Sequence, residues 1–280
     1  MATATLLTDF GTADYYVAAL KGTLLRLAPG AVVLVDVTHE VAPGDVEDAA
    51  FLLAAAARWF PPGTVHLAVV DPGVGGGRRI LAAEGAGGGY LVAPDNGLLT
   101  PFLDGAPAAW GVPADGPPPE VRAVERSEIF LPGPGATFHG RDRLAPAAAW
   151  LLRGEPLAAL GPVVDDPVRL PWTAPRAEGE PPRLGAAGAV LRGRVARVDR
   201  FGNLVTDLPA DWAGDGPLVA EVAGSSTAHR ATHYRDIPPG EAAVLAGSLG
   251  TLELSLDGAS LAERWGVERG APVTVRLLAG

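Results

Sequence analysis

An aspartate and an arginine seven residues apart, separated mainly by glycine, are the side chains in this sequence best placed for chemistry: Asp71-Pro72-Gly73-Val74-Gly75-Gly76-Gly77-Arg78. The segment follows an apolar run at residues 65–70, and a glycine-rich loop after a strand is where α/β proteins commonly carry reacting groups. Glycine lets the backbone fold back on itself. A carboxylate that can orient or deprotonate water then meets a guanidinium that can stabilise a developing anion. The loop is not a phosphate cradle, because it lacks a Gly-Lys-Ser/Thr ending and residues 80–83 read as a strand rather than a helix. A glycine-rich hairpin carrying a surface ion pair is the other reading of the same residues.

Further candidates sit in short motifs. Asp9, in Asp9-Phe10-Gly11, follows the strand-like run at residues 3–8 and would emerge at the carboxyl edge of a sheet. A carboxylate there commonly accepts the ribose hydroxyls of a nucleoside; a helix cap or an Asx turn is the alternative. Of the five histidines, His139 in Thr137-Phe138-His139-Gly140-Arg141-Asp142 has the most suggestive setting, since the adjacent glycine admits a ligand. A structural histidine is its alternative. His39 is expected to brace a strand end, whereas His66, His229 and His233 form no pattern. No two histidines stand at the spacing of a helical zinc motif, so no metal is expected. Asp95-Asn96-Gly97 reads as a tight turn and Asp199-Arg200-Phe201-Gly202-Asn203 as a loop between strands.

The elements that hold these side chains alternate in the first half. Residues 3–8, 32–37, 65–70, 80–83 and 90–93 read as strands, the second of them of buried type. Residues 15–27, 45–59 and 145–152 read as helices, with Asp45 a candidate N-cap. Such alternation predicts an α/β domain with a central, mostly parallel sheet. Residues 171–182 are rich in proline and charge and read as a linker; residues 113–119 and 132–135 read as surface loops. Strand-like runs at 188–198, 204–208, 217–223, 242–245, 251–256 and 273–278 then predict a small β-barrel or sandwich. The expected organisation is an α/β domain over residues 1–172, a linker at 173–183 and an all-β, barrel-like domain over 184–280.

Composition narrows the function class. A net charge of −10 argues against nucleic acid and anionic membrane as partners and favours a cationic small molecule. No apolar run is long enough to span a bilayer, and the N-terminus has no basic start followed by an apolar stretch, so a soluble, cytoplasmic protein is expected. The absence of cysteine excludes disulfides and thiolate metal sites. Lys21 is the only lysine, glutamine is missing, and Asn96 and Asn203 are the only asparagines. An asparagine retained against so strong a bias is a candidate for a specific task.

Taken in order, the motifs point further. Asp9-Phe10-Gly11, Asp36-Val37-Thr38-His39-Glu40-Val41, Asp71-Pro72-Gly73-Val74-Gly75 with Arg78, and Ala93-Pro94-Asp95-Asn96-Gly97-Leu98-Leu99-Thr100 come first. Thr137-Phe138-His139-Gly140-Arg141-Asp142, Phe201-Gly202-Asn203 and Gly247-Ser248-Leu249-Gly250-Thr251-Leu252-Glu253 follow. Over nearly the whole chain this set resembles the S-adenosyl-L-methionine (SAM) hydroxide adenosyltransferases, adenosine-forming SAM hydrolases related to fluorinase and chlorinase. The resemblance implies an N-terminal α/β domain, a C-terminal β-barrel and a homotrimer with sites between neighbouring subunits. It also implies SAM as substrate, adenosine and L-methionine as products, and no cofactor. By resemblance, Asp71, Arg78 and His139 match a water-activating trio and Asp9 a ribose-binding carboxylate. Asn203 matches an adenine contact, Asp199 and Ser248 contacts to the methionine end, and Tyr234 an aromatic packed on the base.

Departures from the related halogenases sharpen this reading. They carry a tyrosine where Asp71 stands, and fluorinase has a serine in place of Gly140 and an arginine in place of Leu249. Gly44 replaces a larger side chain near the ribose, and Asp257 stands where asparagine is common. Asp71 would repel a halide, which favours water as nucleophile. A halogenase of the same superfamily and a SAM or adenosine sensor without turnover are the alternatives; the nucleoside released from SAM separates them.

Overall fold

The computed structural model describes residues 2–28, 30–85, 88–103, 119–132, 137–171, 176–178 and 188–279. Contacts divide the chain into two compact units, one holding the described residues up to 171 and the other those from 176 onward. Most of the expected linker, 173–183, and of the loops at 113–119 and 132–135 lies outside the described residues.

The first unit is built on six strands: β1 (Ala2–Thr8), β2 (Val32–Thr38), β3 (Val65–Val69), β4 (Ile80–Glu84), β5 (Tyr90–Pro94) and β6 (Val121–Ala123), in the order β2-β1-β3-β5-β4-β6. The first four in that order are parallel, and β4 runs antiparallel to both its neighbours, β5 and β6. Connection length explains the change. Parallel neighbours need a crossover of about a dozen residues or more, usually a helix. The stretch between β3 and β4 is only the glycine-rich loop, so β4 returns antiparallel. Strand β2 differs from its expected buried character. It is the sheet edge, and only partly covered along its length.

Helices α1 (Tyr16–Leu27), α2 (Val46–Ala57), α3 (Thr100–Leu103) and α4 (Ala145–Leu152) flank this sheet. Asp45 caps α2, its side chain accepting from the Asp48 N–H at 3.0 Å. Leu6 and Leu67 of the sheet, Leu20 and Leu24 of α1 and the alanines of α4 form one core cluster. Each wholly buried leucine contributes about 1.5–3 kcal/mol. Ala145, Ala147, Ala148 and Ala149 are fully buried, and their small side chains let α4 lie close to both the sheet and α1. A π-helical turn, Gly140–Leu144, leads directly into α4. Because the chain steps from β1 outward to β2 and then back to β3 on the other side of β1, the strand order reverses between β1 and β3. In such sheets ligands bind outside the carboxyl ends of the strands at that reversal.

The second unit is antiparallel: β7 (Arg176–Glu178), β8 (Val190–Val198), β9 (Leu204–Pro209), β10 (Leu218–Val222), β11 (Ser225–Thr227), β12 (Ala242–Ala246), β13 (Thr251–Leu256) and β14 (Pro272–Leu277). Their order is β11-β10-β14-β8-β9-β13-β12, with β7 added on β8. Chain just beyond β11 pairs with β12 through Val244 N–H to the His229 carbonyl and Ala231 N–H to the Val244 carbonyl, both 2.9 Å. The sheet thereby curls into a nearly closed barrel around Leu191, Val195, Leu204, Leu254 and Val275. Helix α5 (Leu261–Trp265), capped by Ser260, covers one side of this core. Gly202, at φ +83°, lies so close to Ser260 that a β-carbon there would collide with it. Among the described residues no helix is long and apolar enough to cross a membrane.

Candidate active site

Asp9 and Asp71 follow the ends of β1 and β3, on the two sides of the strand-order reversal. The glycine-rich loop folds Arg78 back onto Asp71, as glycines at 73, 75, 76 and 77 permit. Arg78 Nε donates to Asp71 Oδ1 at 2.7 Å, and Nη2 donates to Oδ2. Both side chains are largely buried, 5% exposed for Asp71 and 12% for Arg78. A bidentate charged pair of this kind is among the stronger polar contacts in proteins. The adjacent cation goes elsewhere: Arg79 donates to Asp95 and Asp166, each at 2.7 Å. Asn96 braces the same corner, its amide donating to the Val70 carbonyl at 2.8 Å. The strand end just before Asp71 is thus fixed by one of the two retained asparagines.

His139 is buried at the start of the π-helical turn. Its Nδ1 lies 3.1 Å from Arg78 Nη2. A guanidinium only donates, so Nδ1 accepts and a neutral ring carries its proton on Nε2. Burial holds the His139 pKa below its usual 6.5, and the charges of Arg143 and Arg78 add to this against the opposing fields of Asp71 and Asp142. The ring is therefore neutral at pH 7. Its buried Nε2 has no protein partner among the described residues.

Asp9, Asp71 and His139 line a cleft of about 520 Å³. One wall is aromatic. Phe10 packs on Phe138 and Tyr16, with ring centroids 5.8 and 6.0 Å apart, and Tyr15 lies 4.6 Å from Tyr16. Arg141 stacks over Phe138 at 4.9 Å while forking onto Asp142. Gly140 is tightly surrounded: a β-carbon there would stand 3.2 Å from Val69 and 3.4 Å from Phe10, so those side chains would have to give slightly. Asp9 caps no helix. Its Oδ2 accepts the Gly44 N–H at 2.9 Å, and the N-cap position of α1 belongs to Tyr15. Behind it, Thr8 Oγ1 and Asp36 Oδ1 bracket His39 at 2.8 and 3.0 Å, and Lys21 holds Asp36 at 2.6 Å. This chain ties the end of β1 to the end of β2.

The remaining candidates lie in the second unit. Asp199 accepts the backbone N–H groups of Phe201 and Asn203 at 2.8 and 2.9 Å and the Asn203 amide at 2.9 Å. The two side chains lock one loop between β8 and β9. Tyr234 donates to Glu253 at 2.8 Å, and Ser248 is exposed on the turn between β12 and β13. Among the described residues no cluster of three or more histidine, aspartate or glutamate side chains could hold a metal ion. The aromatic wall escaped the sequence reading, although Tyr15-Tyr16 follows closely on Asp9-Phe10-Gly11 and was a usable signal.

Comparison with known proteins places both units together in one family. A family model described as the SAM hydroxide adenosyltransferase N-terminal domain matches residues 4–161, and the corresponding C-terminal domain matches residues 193–274. The chain belongs to the SAM hydroxide adenosyltransferase family. A relative from Salinispora tropica, named (R)-S-adenosyl-L-methionine hydrolase, is 42% identical over 94% of this chain and 93% of its own. One of the same name from Thermus thermophilus is 40% identical over 95% and 96%. A fluorinase from an Actinoplanes species is 29% identical over 96% and 95%. The solved structure of an uncharacterized conserved protein from Thermotoga maritima superposes with a TM-score of 0.83 at 32% identity, covering 99% of this chain and 100% of that one. Proton NMR with His139→Asn as the assignment control should show His139 titrating below 6.5. Removing the Arg143 charge as Arg143→Leu should move that titration upward, since a nearby cation disfavours imidazolium. An unmoved or lowered midpoint would contradict the assigned electrostatics.

Proposed function

We propose that the chain hydrolyses SAM to adenosine and L-methionine, with water attacking the ribose 5′ carbon. The observation that carries this reading is a buried carboxylate, Asp71, clamped by Arg78 beside neutral His139 at one edge of an aromatic-walled cleft. As the new C–O bond forms, the C5′–S bond breaks and its electron pair stays on sulfur. Methionine departs as a neutral thioether, so the leaving group needs no acid. The attacking water becomes acidic as it bonds to carbon, and Asp71 orients it and takes its proton. Arg78 fixes the carboxylate in direction and favours hydroxide character in the nucleophile. His139 offers its Nε2–H as a hydrogen-bond donor.

Substrate binding supplies alignment and exclusion of water; well-oriented displacement is worth about 7–11 kcal/mol in favourable cases. The sulfonium cation suits the acidic, aromatic cleft, because aromatic faces attract cations. In this reading Asp9 accepts the ribose hydroxyls, Asn203 and Tyr234 hold the adenine, and Asp199 and Ser248 hold the methionine end. A halide would approach Asp71 against like charge, so water is the nucleophile. The displacement changes no oxidation state and draws on no cofactor. We propose further that the chain acts as a homotrimer whose site residues come from neighbouring subunits. Support for this is that the site residues implied by the family resemblance fall in both matched domains.

In water enriched in heavy oxygen, purified protein should convert SAM to L-methionine and adenosine labelled at the 5′ hydroxyl, unaffected by chloride, fluoride or a chelator. Formation of 5′-halo-adenosine, or of no nucleoside, would overturn the reading. Shared sites are tested by mixing Asp71→Asn and Asn203→Ala chains, each nearly inactive alone. Unfolded and refolded together in equal amounts, they should recover about one quarter of wild-type activity through closed-ring assembly. Trimers that regain nothing would show that each site is built within one chain.

A further inference from the structure

Glu253 is a charged side chain placed where a barrel has no structural need of one. It sits on β13, on the face of the strand opposite the core leucines Leu252 and Leu254, and is 5% exposed. Burying a carboxylate costs several kcal/mol unless hydrogen bonds offset it. Here two hydroxyls converge on a single oxygen: Tyr234 Oη donates to Oε1 at 2.8 Å and Ser255 Oγ donates to it at 2.9 Å. An alanine or leucine would fill this position without the desolvation cost. Something other than barrel stability therefore accounts for the carboxylate.

Its surroundings indicate what. Tyr234 is 47% exposed, so its hydroxyl is tied from behind while much of the ring stays open to solvent. The other carboxylate oxygen, Oε2, lies 3.1 Å from where a side chain at Gly247 would begin. Gly247 opens the turn that carries Ser248 and Leu249, and its N–H donates to the Thr251 carbonyl at 2.8 Å. One buried carboxylate thus sits under both the exposed ring and that turn. Burial, with the Glu253 bond and then the fields of Glu253 and Asp199, pushes the Tyr234 phenol up to about 12.

We propose that Glu253 is a positioning residue for the nucleobase, holding the Tyr234 hydroxyl so that the ring is already oriented to receive a planar aromatic ligand. This rests on the SAM-hydrolysing reading above. An unheld tyrosine must be ordered when the base arrives, and immobilising one such side chain weakens binding by about 2- to 10-fold. Tyr234→Phe and Glu253→Ala should each raise KM for SAM by about that factor with kcat nearly unchanged. Glu253→Gln keeps an accepting oxygen and should fall between wild type and Glu253→Ala. The double variant Tyr234→Phe/Glu253→Ala should be no worse than the poorer single, because both remove one shared bond.

Thermal melts exclude misfolding as the cause, and Tyr234→Phe is the variant least able to disturb the fold because its ring is half exposed. A readout without activity accompanies the kinetics. Tyrosinate absorbance between about pH 9 and 11.5, with Tyr234→Phe as the difference reference, should show Tyr234 ionising at lower pH in Glu253→Gln than in wild type. An unchanged KM for Tyr234→Phe, or losses that multiply in the double variant, would overturn the proposal. An unshifted ionisation in Glu253→Gln would do the same. If wild-type protein released no adenosine, the hydrolase reading would fall, while the absorbance titration would still decide whether Glu253 holds Tyr234.

Discussion

Keeping an ionised carboxylate inside a cleft wall is the constraint around which the first unit is arranged. Asp71 sits largely out of water, where a carboxylate needs hydrogen bonds or an opposite charge to offset its lost hydration. Arg78 supplies both from seven residues along the same loop. Removing one partner of such a buried pair typically costs about 3–5 kcal/mol, because the other charge is left unpaired. The glycines between them follow from this need, since the loop must reverse tightly enough to form the fork. The lone pair on His139 Nδ1 then accepts from Arg78 Nη2. That contact fixes the histidine tautomer and leaves its Nε2–H without a protein partner among the described residues.

The rest of the unit holds this arrangement still. Asn96 pins the Val70 carbonyl, and Arg79 fastens the far end of the loop to Asp95 and Asp166. On the neighbouring strand, the chain of Lys21, Asp36, His39 and Thr8 does the same for Asp9. Gly140 lets Phe10, Val69 and Phe138 close around the turn that presents His139. Precision of this kind matters for a displacement reaction, in which the gain comes from alignment more than from any single acid or base.

Much of this was legible in the sequence because strand ends and glycine-rich turns leave local signals. The runs before Asp9 and Asp71 are rich in β-branched and aliphatic residues and of strand length, and Asp45 announces its helix by capping chemistry. Strand β2 misled because valine and leucine are equally suited to an edge and a centre; only the sheet order reveals which. Backbone pairing of residues 176–178 inside a proline-rich stretch has no side-chain signature. The π-helical turn is likewise invisible to periodicity, since its extra residue shifts the phase over a single turn. Long-range contacts were the other blind spot. Nothing local joins Tyr234 to Glu253, or Asn96 to Val70, so neither bond could be read before the fold was known.

The family assignment rests on both units, whereas the mechanism rests on one carboxylate. The most direct measurement is therefore calorimetric binding of SAM to Asp71→Asn alongside its turnover number. Asparagine keeps an oxygen for Arg78 Nε but sets an N–H against Nη2, so a thermal melt first confirms the fold, and the folded variant should bind SAM with nearly wild-type affinity. Turnover should fall by about 10²–10⁴, the usual consequence of removing a general base. A variant that hydrolyses SAM at the wild-type rate, or that folds normally but no longer binds it, would contradict the role given to Asp71.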